Sequence, residues 1–72
     1  MVNVNKLKGK IVECGLTVSQ LAEKINVDRA TLYRKLNSEG KNFTIEEADL
    51  IARILELSYK EVNSIFFSQY VA

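Results

Sequence analysis

Apolar positions recur every three or four residues along this chain and are separated by short polar segments. Val4, Leu7, Ile11 and Cys14 lie on one face of a first helix. Gly15 follows and can end this helix, because glycine adopts a positive φ without steric cost. The pattern predicts a small core side chain at Cys14, with a reactive thiol as the alternative.

Two short helices separated by about three residues follow. Thr17 caps the second helix, and Gln20 completes a capping box three residues later. Asn26 ends that helix because asparagine tolerates the left-handed region, and Asp28 caps the third helix. The inward positions are Val18, Leu21, Ala22 and Ile25 in the second helix and Leu32 and Leu36 in the third.

The same signals begin two further helices, at Thr44 with Glu47 and at Ser58 with Glu61. The fourth helix turns Ala48, Ile51, Ala52 and Leu55 inward. The chain has no proline and no alternating run typical of a strand. The sequence therefore predicts an all-α fold of five short helices in a single domain over residues 1–72.

Composition narrows the possible functions. A chain of 72 residues has little room for a core and an enclosed active site. Histidine is absent, so metal sites and acid–base chemistry lose their usual residue, and we expect no catalytic residue, no metal and no cofactor. The single cysteine suits a reducing compartment, and the sequence contains no membrane span or signal peptide. We expect a cytoplasmic protein that is not an enzyme and does not bind membranes.

The charge is unevenly distributed. The net charge is +1, but residues 1–41 carry eight Lys/Arg and four Asp/Glu, whereas residues 42–72 carry two and five. The first part is therefore +4 and the second −3. The basic part favours an anionic partner, although an uneven surface of this size is also common without one.

The short connection between the second and third helices indicates how they pack. Helices joined by about three residues cross steeply, as in a helix-turn-helix that projects its second helix into the major groove of DNA. The segment LTVSQLAEKINVDRATLYRKLN, residues 16–37, resembles the helix-turn-helix of Cro/CI-type repressors, with the motif itself over about residues 17–37. The resemblance implies a lambda-repressor-like fold and a phage or prophage transcription regulator in a bacterial host. It also implies a dimer on a palindromic operator in double-stranded DNA.

Three positions depart from the pattern of that family. Asn26 stands where glycine is commonest, and Val18 stands where many members have a glutamine that braces a phosphate contact. Leu32 and Leu36 are four residues apart, whereas the inward pair of many members is three apart. The departure in spacing changes which side chains of the third helix face the groove.

Helical geometry nevertheless selects candidates for base reading. With Leu32 and Leu36 inward, 100° per residue places Ala30, Tyr33, Arg34 and Asn37 on the opposite arc, and Arg29 lies near the N-terminus of the helix. Arginine can bind guanine O6 and N7 together, and alanine or a tyrosine ring can contact a thymine methyl. We therefore predict base contacts from Arg29, Ala30, Tyr33 and Arg34.

Phosphate contacts are expected on both sides of that helix, where polar side chains adjoin the starts of the second and fourth helices. Lysines of the first helix add long-range attraction or are simply solvated. The phosphate candidates are Thr17, Ser19, Gln20, Thr31, Lys35, Asn37, Lys41, Asn42 and Thr44.

The C-terminal segment, about residues 58–72, has apolar side chains on two faces. On an ideal helix, Phe67 points about 100° away from Phe66, and Val71 points about 100° away from Tyr70. Either the tail folds back, or its spare apolar surface meets another subunit, and we favour the second. The predicted homodimer interface comprises Phe66, Phe67, Tyr70 and Val71.

A second function class remains open at this stage. The same exposed helix could dock on protein instead of DNA, as in an antirepressor that binds another repressor. Steep weakening of binding with salt would indicate DNA, because phosphate contacts release counterions.

Overall fold

The computed structural model describes residues 2–38 and 43–67, and these contain five helices and no strand. The helices are α1 (Val4–Glu13), α2 (Val18–Lys24), α3 (Arg29–Asn37), α4 (Ile45–Ile54) and α5 (Tyr59–Phe66). The prediction of five short helices in an all-α fold is confirmed.

The connections that follow α1, α2 and α4 are built in the same way. Each contains one residue with a positive φ, namely Gly15 at 74°, Asn26 at 59° and Glu56 at 52°. The amide of the next residue then donates a hydrogen bond back across the last turn of the helix, as in a Schellman motif. These bonds run from Leu16 to Ile11 (3.0 Å), from Val27 to Ala22 (2.9 Å) and from Leu57 to Ala52 (2.9 Å).

The helix starts follow the capping pattern that the sequence predicts. Capping boxes are present at Thr17 with Gln20, at Thr44 with Glu47 and at Ser58 with Glu61. Asp28 accepts the Ala30 amide at 3.1 Å. At α1, the side chain of Asn3 accepts the Lys6 amide at 3.1 Å, a cap that the sequence analysis did not identify.

All five helices contribute to one apolar core. Ala22 is fully buried, and a small side chain there allows α2 to approach its neighbours closely. The N-terminal segment is tied to α5, because the Asn3 amide donates to the Ile65 carbonyl at 2.7 Å. The buried residues are Leu7, Ile11, Leu21, Ala22, Ile25, Leu32, Leu36, Ala48, Ile51, Leu55, Ile65 and Phe66.

Cys14 does not lie in this core, and its predicted role as a core side chain is wrong. Helix α1 ends at Glu13, so Cys14 is the C-cap residue and does not continue the buried face of Leu7 and Ile11. Its side chain is exposed, with Sγ 3.6 Å from the carbonyl oxygen of Leu55.

No helix within residues 2–38 and 43–67 has both the length and the apolar character that a membrane crossing requires.

Candidate nucleic-acid interface

Helix α3 is held on the body of the protein by one side only. Leu32 and Leu36 are buried, as the sequence predicts, and they anchor α3 against the core. The Asp28 cap fixes the first turn of α3, and the positive φ of Asn26 reverses the chain just before it. The opposite side of α3 is therefore presented to solvent on a rigid support.

The four base-reading candidates are all exposed to solvent. Arg29, Ala30 and Arg34 are exposed, and Tyr33 is 44% exposed. Asn37, a phosphate candidate, is exposed at the end of the same helix. This arrangement offers two guanidinium groups, one methyl group and one aromatic ring, a combination that can donate to guanine and contact a thymine methyl.

Thr31 and Lys35 lie on the flanks of this arc and are partly buried. The Arg34 guanidinium donates to Thr31 Oγ1 at 3.4 Å. Lys35 Nζ donates to both carboxylate oxygens of Glu47, at 2.7 Å to Oε1 and 2.5 Å to Oε2. The charge of Lys35 is thus neutralised within the protein, which the sequence analysis did not anticipate.

Glu47 serves two purposes at the start of α4. Its Oε1 accepts the Thr44 amide at 2.9 Å in the capping box and also accepts Lys35. Burial acts to raise the pKa of the Glu47 carboxyl, but the hydrogen bonds from Lys35 and the Thr44 amide outweigh it and lower the pKa below its usual value. Glu47 therefore stays ionised at neutral pH.

The polar side chains at the start of α2 are engaged in a cap but keep donor capacity. Thr17 Oγ1 accepts the Gln20 amide at 3.1 Å, and Gln20 Oε1 accepts the Thr17 amide at 2.8 Å. A hydroxyl that accepts one bond can still donate its proton, and an amide side chain keeps its NH₂ group. Ser19 is partly exposed beside them. The first turn of α2 carries no carboxylate, so these donors suit a phosphate.

The first turn of α4 is less suited to a phosphate. Glu46 and Glu47 place two carboxylates next to Thr44, and a phosphate there would meet like charge. The neighbouring candidates Lys41 and Asn42 lie outside the described residues.

A groove at the far end of α3 brings together residues that the sequence analysis did not combine. Its volume is about 430 Å³, and its lining includes Asn5 and Lys8 of α1 and Asn37 of α3. Lys8 is one of the lysines of α1 that were expected either to add long-range attraction or to be simply solvated, and its position beside α3 depends on how α1 packs. Periodicity within α1 carries no signal for this proximity.

The predicted dimer surface is only partly available. Phe66 is 6% exposed and packs edge-on against Phe43, with ring centroids 6.3 Å apart. Phe66 is therefore a core residue, and its assignment to a subunit interface is corrected. Tyr70 and Val71 lie outside the described residues.

Phe67 remains as an exposed member of that predicted surface. It is 38% exposed and lines a groove of about 230 Å³ between α4 and α5. Ile45, which is 82% exposed, lies in the same groove with Ala48, Asp49, Ala52 and Val62. The groove therefore presents an exposed apolar surface between α4 and α5.

Among residues 2–38 and 43–67, no group of three or more His, Cys, Asp or Glu side chains could hold a metal ion.

A protein-family model described as helix-turn-helix matches residues 7–62. The match begins in α1, ends in α5 and includes all of α2, α3 and α4. No curated protein and no solved structure matches the chain.

Proposed function

The chain belongs to the Cro/CI-type helix-turn-helix family and is a DNA-binding regulator with an all-α, lambda-repressor-like fold, and we propose that it reads a specific operator in double-stranded DNA. In this proposal α3 enters the major groove. The regulator is of the phage or prophage repressor type.

The observation that supports this proposal is the one-sided anchoring of α3. Leu32 and Leu36 are buried, whereas Arg29 and Arg34 are exposed on a helix whose start is fixed by the Asp28 cap. A rigid helix with exposed guanidinium groups can make bidentate contacts with guanine, each worth about 1–3 kcal/mol of discrimination.

The other candidates have complementary roles. Ala30 and the Tyr33 ring contact a thymine methyl, while Thr17, Ser19 and Gln20 bind phosphate beside the start of α2. Thr31 and Asn37, together with Lys8 across the groove, bind phosphates of the DNA backbone that runs along α3. Thr44, with Lys41 and Asn42, is a weaker candidate because of the carboxylates beside it.

A homodimer completes the proposal. A symmetric pair of subunits would place two copies of α3 on two half-sites, one helical turn of DNA apart. The exposed apolar groove at Phe67 and Ile45 supplies a surface for this pairing.

The test begins with selection of binding sites from random duplex DNA, followed by fluorescence anisotropy on the selected duplex and on mismatched duplexes. Arg34→Ala should cost about 1–3 kcal/mol on the selected duplex and relax the preference at one base pair. Arg53→Ala is the matched control, because Arg53 is an exposed arginine on α4 whose only described ion pair is with Asp49. Equal, sequence-independent losses from both variants would contradict base reading by Arg34.

The salt dependence of binding separates DNA from a protein partner. We expect micromolar or tighter binding at about 100 mM salt and at least a tenfold gain when salt is halved, as for about six phosphates contacted by a dimer. The alternative function is docking on another repressor, which the exposed Tyr33 beside Arg29 and Arg34 would also suit. That function is favoured if the protein binds no selected duplex at low salt but binds another repressor from the same genome.

A further inference from the structure

An ion pair between Lys35 and Glu47 joins α3 to α4. Lys35 Nζ reaches both carboxylate oxygens, and the side chains are only 17% and 16% exposed. Partial burial and two charge-assisted hydrogen bonds distinguish this pair from an ordinary surface ion pair.

The acceptor in this pair is itself rigidly placed. The Glu47 carboxylate accepts the Thr44 amide at 2.9 Å, and the Glu47 amide donates to Thr44 Oγ1 at 3.0 Å. Immediately after this cap, Ala48 and Ile51 anchor α4 in the core. The carboxylate is therefore a fixed point against which Lys35 is held.

Lys35 is placed so that a rotation of α3 about its axis would change its contact with Glu47. It follows Arg34 in the chain and precedes Leu36, so it lies between the exposed arc and the buried face. Apolar contacts at Leu32 and Leu36 are not directional, whereas a two-oxygen ion pair is. A turn of α3 about its axis would break the ion pair and displace Arg34 in the same movement.

We propose that Lys35 is a positioning residue whose ion pair with Glu47 sets the rotation of α3, and hence the register of Arg34 against the bases. This assignment rests on the proposed function, and it replaces the role of phosphate ligand for Lys35. A phosphate would have to compete with Glu47, which already bonds Lys35 through both oxygens.

The two roles of Lys35 predict opposite effects of Glu47→Gln. Glutamine at this position can keep the cap, as Gln20 does in the capping box of α2, but it removes the charge that holds Lys35. If Lys35 bound phosphate, the substitution would release it and tighten binding to every duplex. If Lys35 positions α3, the substitution weakens binding to the selected duplex.

The experiment measures anisotropy on a selected and an unrelated duplex over a range of salt concentrations, for wild type and three variants. Lys35→Met and Glu47→Gln should each lower affinity for the selected duplex about tenfold and leave the unrelated duplex within about twofold. The salt slope of Lys35→Met should equal that of wild type, because no phosphate contact is lost. Lys35→Arg should retain the selectivity, since a guanidinium can also donate to both oxygens.

Glu61→Gln is the matched control. Glu61 occupies the equivalent position in the capping box of α5 and pairs with Lys10 of α1, away from α3. Its substitution should leave selectivity unchanged, even where it lowers stability. Urea unfolding of each variant identifies the conditions in which it is fully folded.

The outcomes are distinguishable. Tighter binding of Glu47→Gln to both duplexes, or a salt slope of Lys35→Met reduced by about one, would overturn the positioning role. The positioning role would also be overturned if wild type and the Glu47→Gln variant discriminated equally well between the two duplexes. A wild type that binds no selected duplex would remove the proposed function and this assignment together.

Discussion

At the scale of single residues, three turns of the same kind have different residues at the position with a positive φ. Gly15, Asn26 and Glu56 each follow the C-cap of a helix and adopt φ values of 74°, 59° and 52°. The left-handed region costs a residue with a Cβ roughly 1–2 kcal/mol. The cost is smaller for asparagine and absent for glycine. Glu56 is therefore the most strained of the three.

We expect Glu56→Gly to raise the free energy of unfolding by about 0.5–1 kcal/mol, because relief of strain exceeds the added entropy of the unfolded chain. Gly15→Ala should lower it by about 1 kcal/mol through backbone strain alone, since a Cβ at Gly15 would have no neighbouring atom within 4 Å. Urea unfolding measures both changes. A destabilised Glu56→Gly variant would show that the Glu56 side chain stabilises the turn.

At the scale of helices, α1 and α5 are joined by the ion pair of Lys10 and Glu61. The hydrogen bond from Lys10, assisted by the Ser58 amide, lowers the pKa of Glu61 from its usual 4.5 to about 2. A carboxyl whose pKa is lower in the folded state stabilises the fold fully above its unfolded pKa. This stabilisation is lost as the pH falls from about 4.5 towards 2.

We therefore expect the free energy of unfolding of wild type to fall as the pH decreases from 4.5 to 2. Glu61→Gln should be less stable than wild type at neutral pH and should lose less between these two pH values. Glu13→Gln is the control, because Glu13 is exposed and approaches the same Lys10 Nζ only at 3.4 Å. Urea unfolding at about pH 7, 4 and 2.5 tests this; parallel pH profiles of wild type and Glu61→Gln would contradict it.

At the scale of the whole molecule, the groove at Phe67 and Ile45 bears on assembly. Phe67→Glu should give a folded monomer, because an unpaired charge buried in an interface costs several kcal/mol while Phe67 lies outside the core. Tyr59→Glu is the control, since Tyr59 is an 84% exposed aromatic residue at the other end of α5 and should leave the dimer intact. Sedimentation equilibrium measures both. A wild type that is monomeric at high micromolar concentration would exclude this interface.

The sequence predicts the elements of this molecule better than the contacts between them. The capping boxes at Thr17, Thr44 and Ser58 were predictable because each depends on residues three positions apart. Similarly, the spacing of Leu32 and Leu36 was enough to identify the exposed arc of α3. Local rules of this kind cover most of the fold.

The residues that sequence reasoning misplaced depend on tertiary packing. The partner of Lys35 is twelve positions away, and the spacing of the two residues carries no signal of their contact. Cys14 continues the apolar period of α1, but the helix ends one residue earlier. Phe66 was assigned to an interface because the sequence does not reveal that Phe43 packs against it.

The repeated turn after α1, α2 and α4 also has a kinetic consequence. Each turn is closed by hydrogen bonds between residues no more than five positions apart, so it can form before distant parts of the chain meet. Folds dominated by such local contacts cross a low entropic barrier and typically fold in microseconds to milliseconds. A newly made copy of this regulator would therefore reach its folded state much faster than the roughly seconds that a ribosome needs to synthesise a chain of this length.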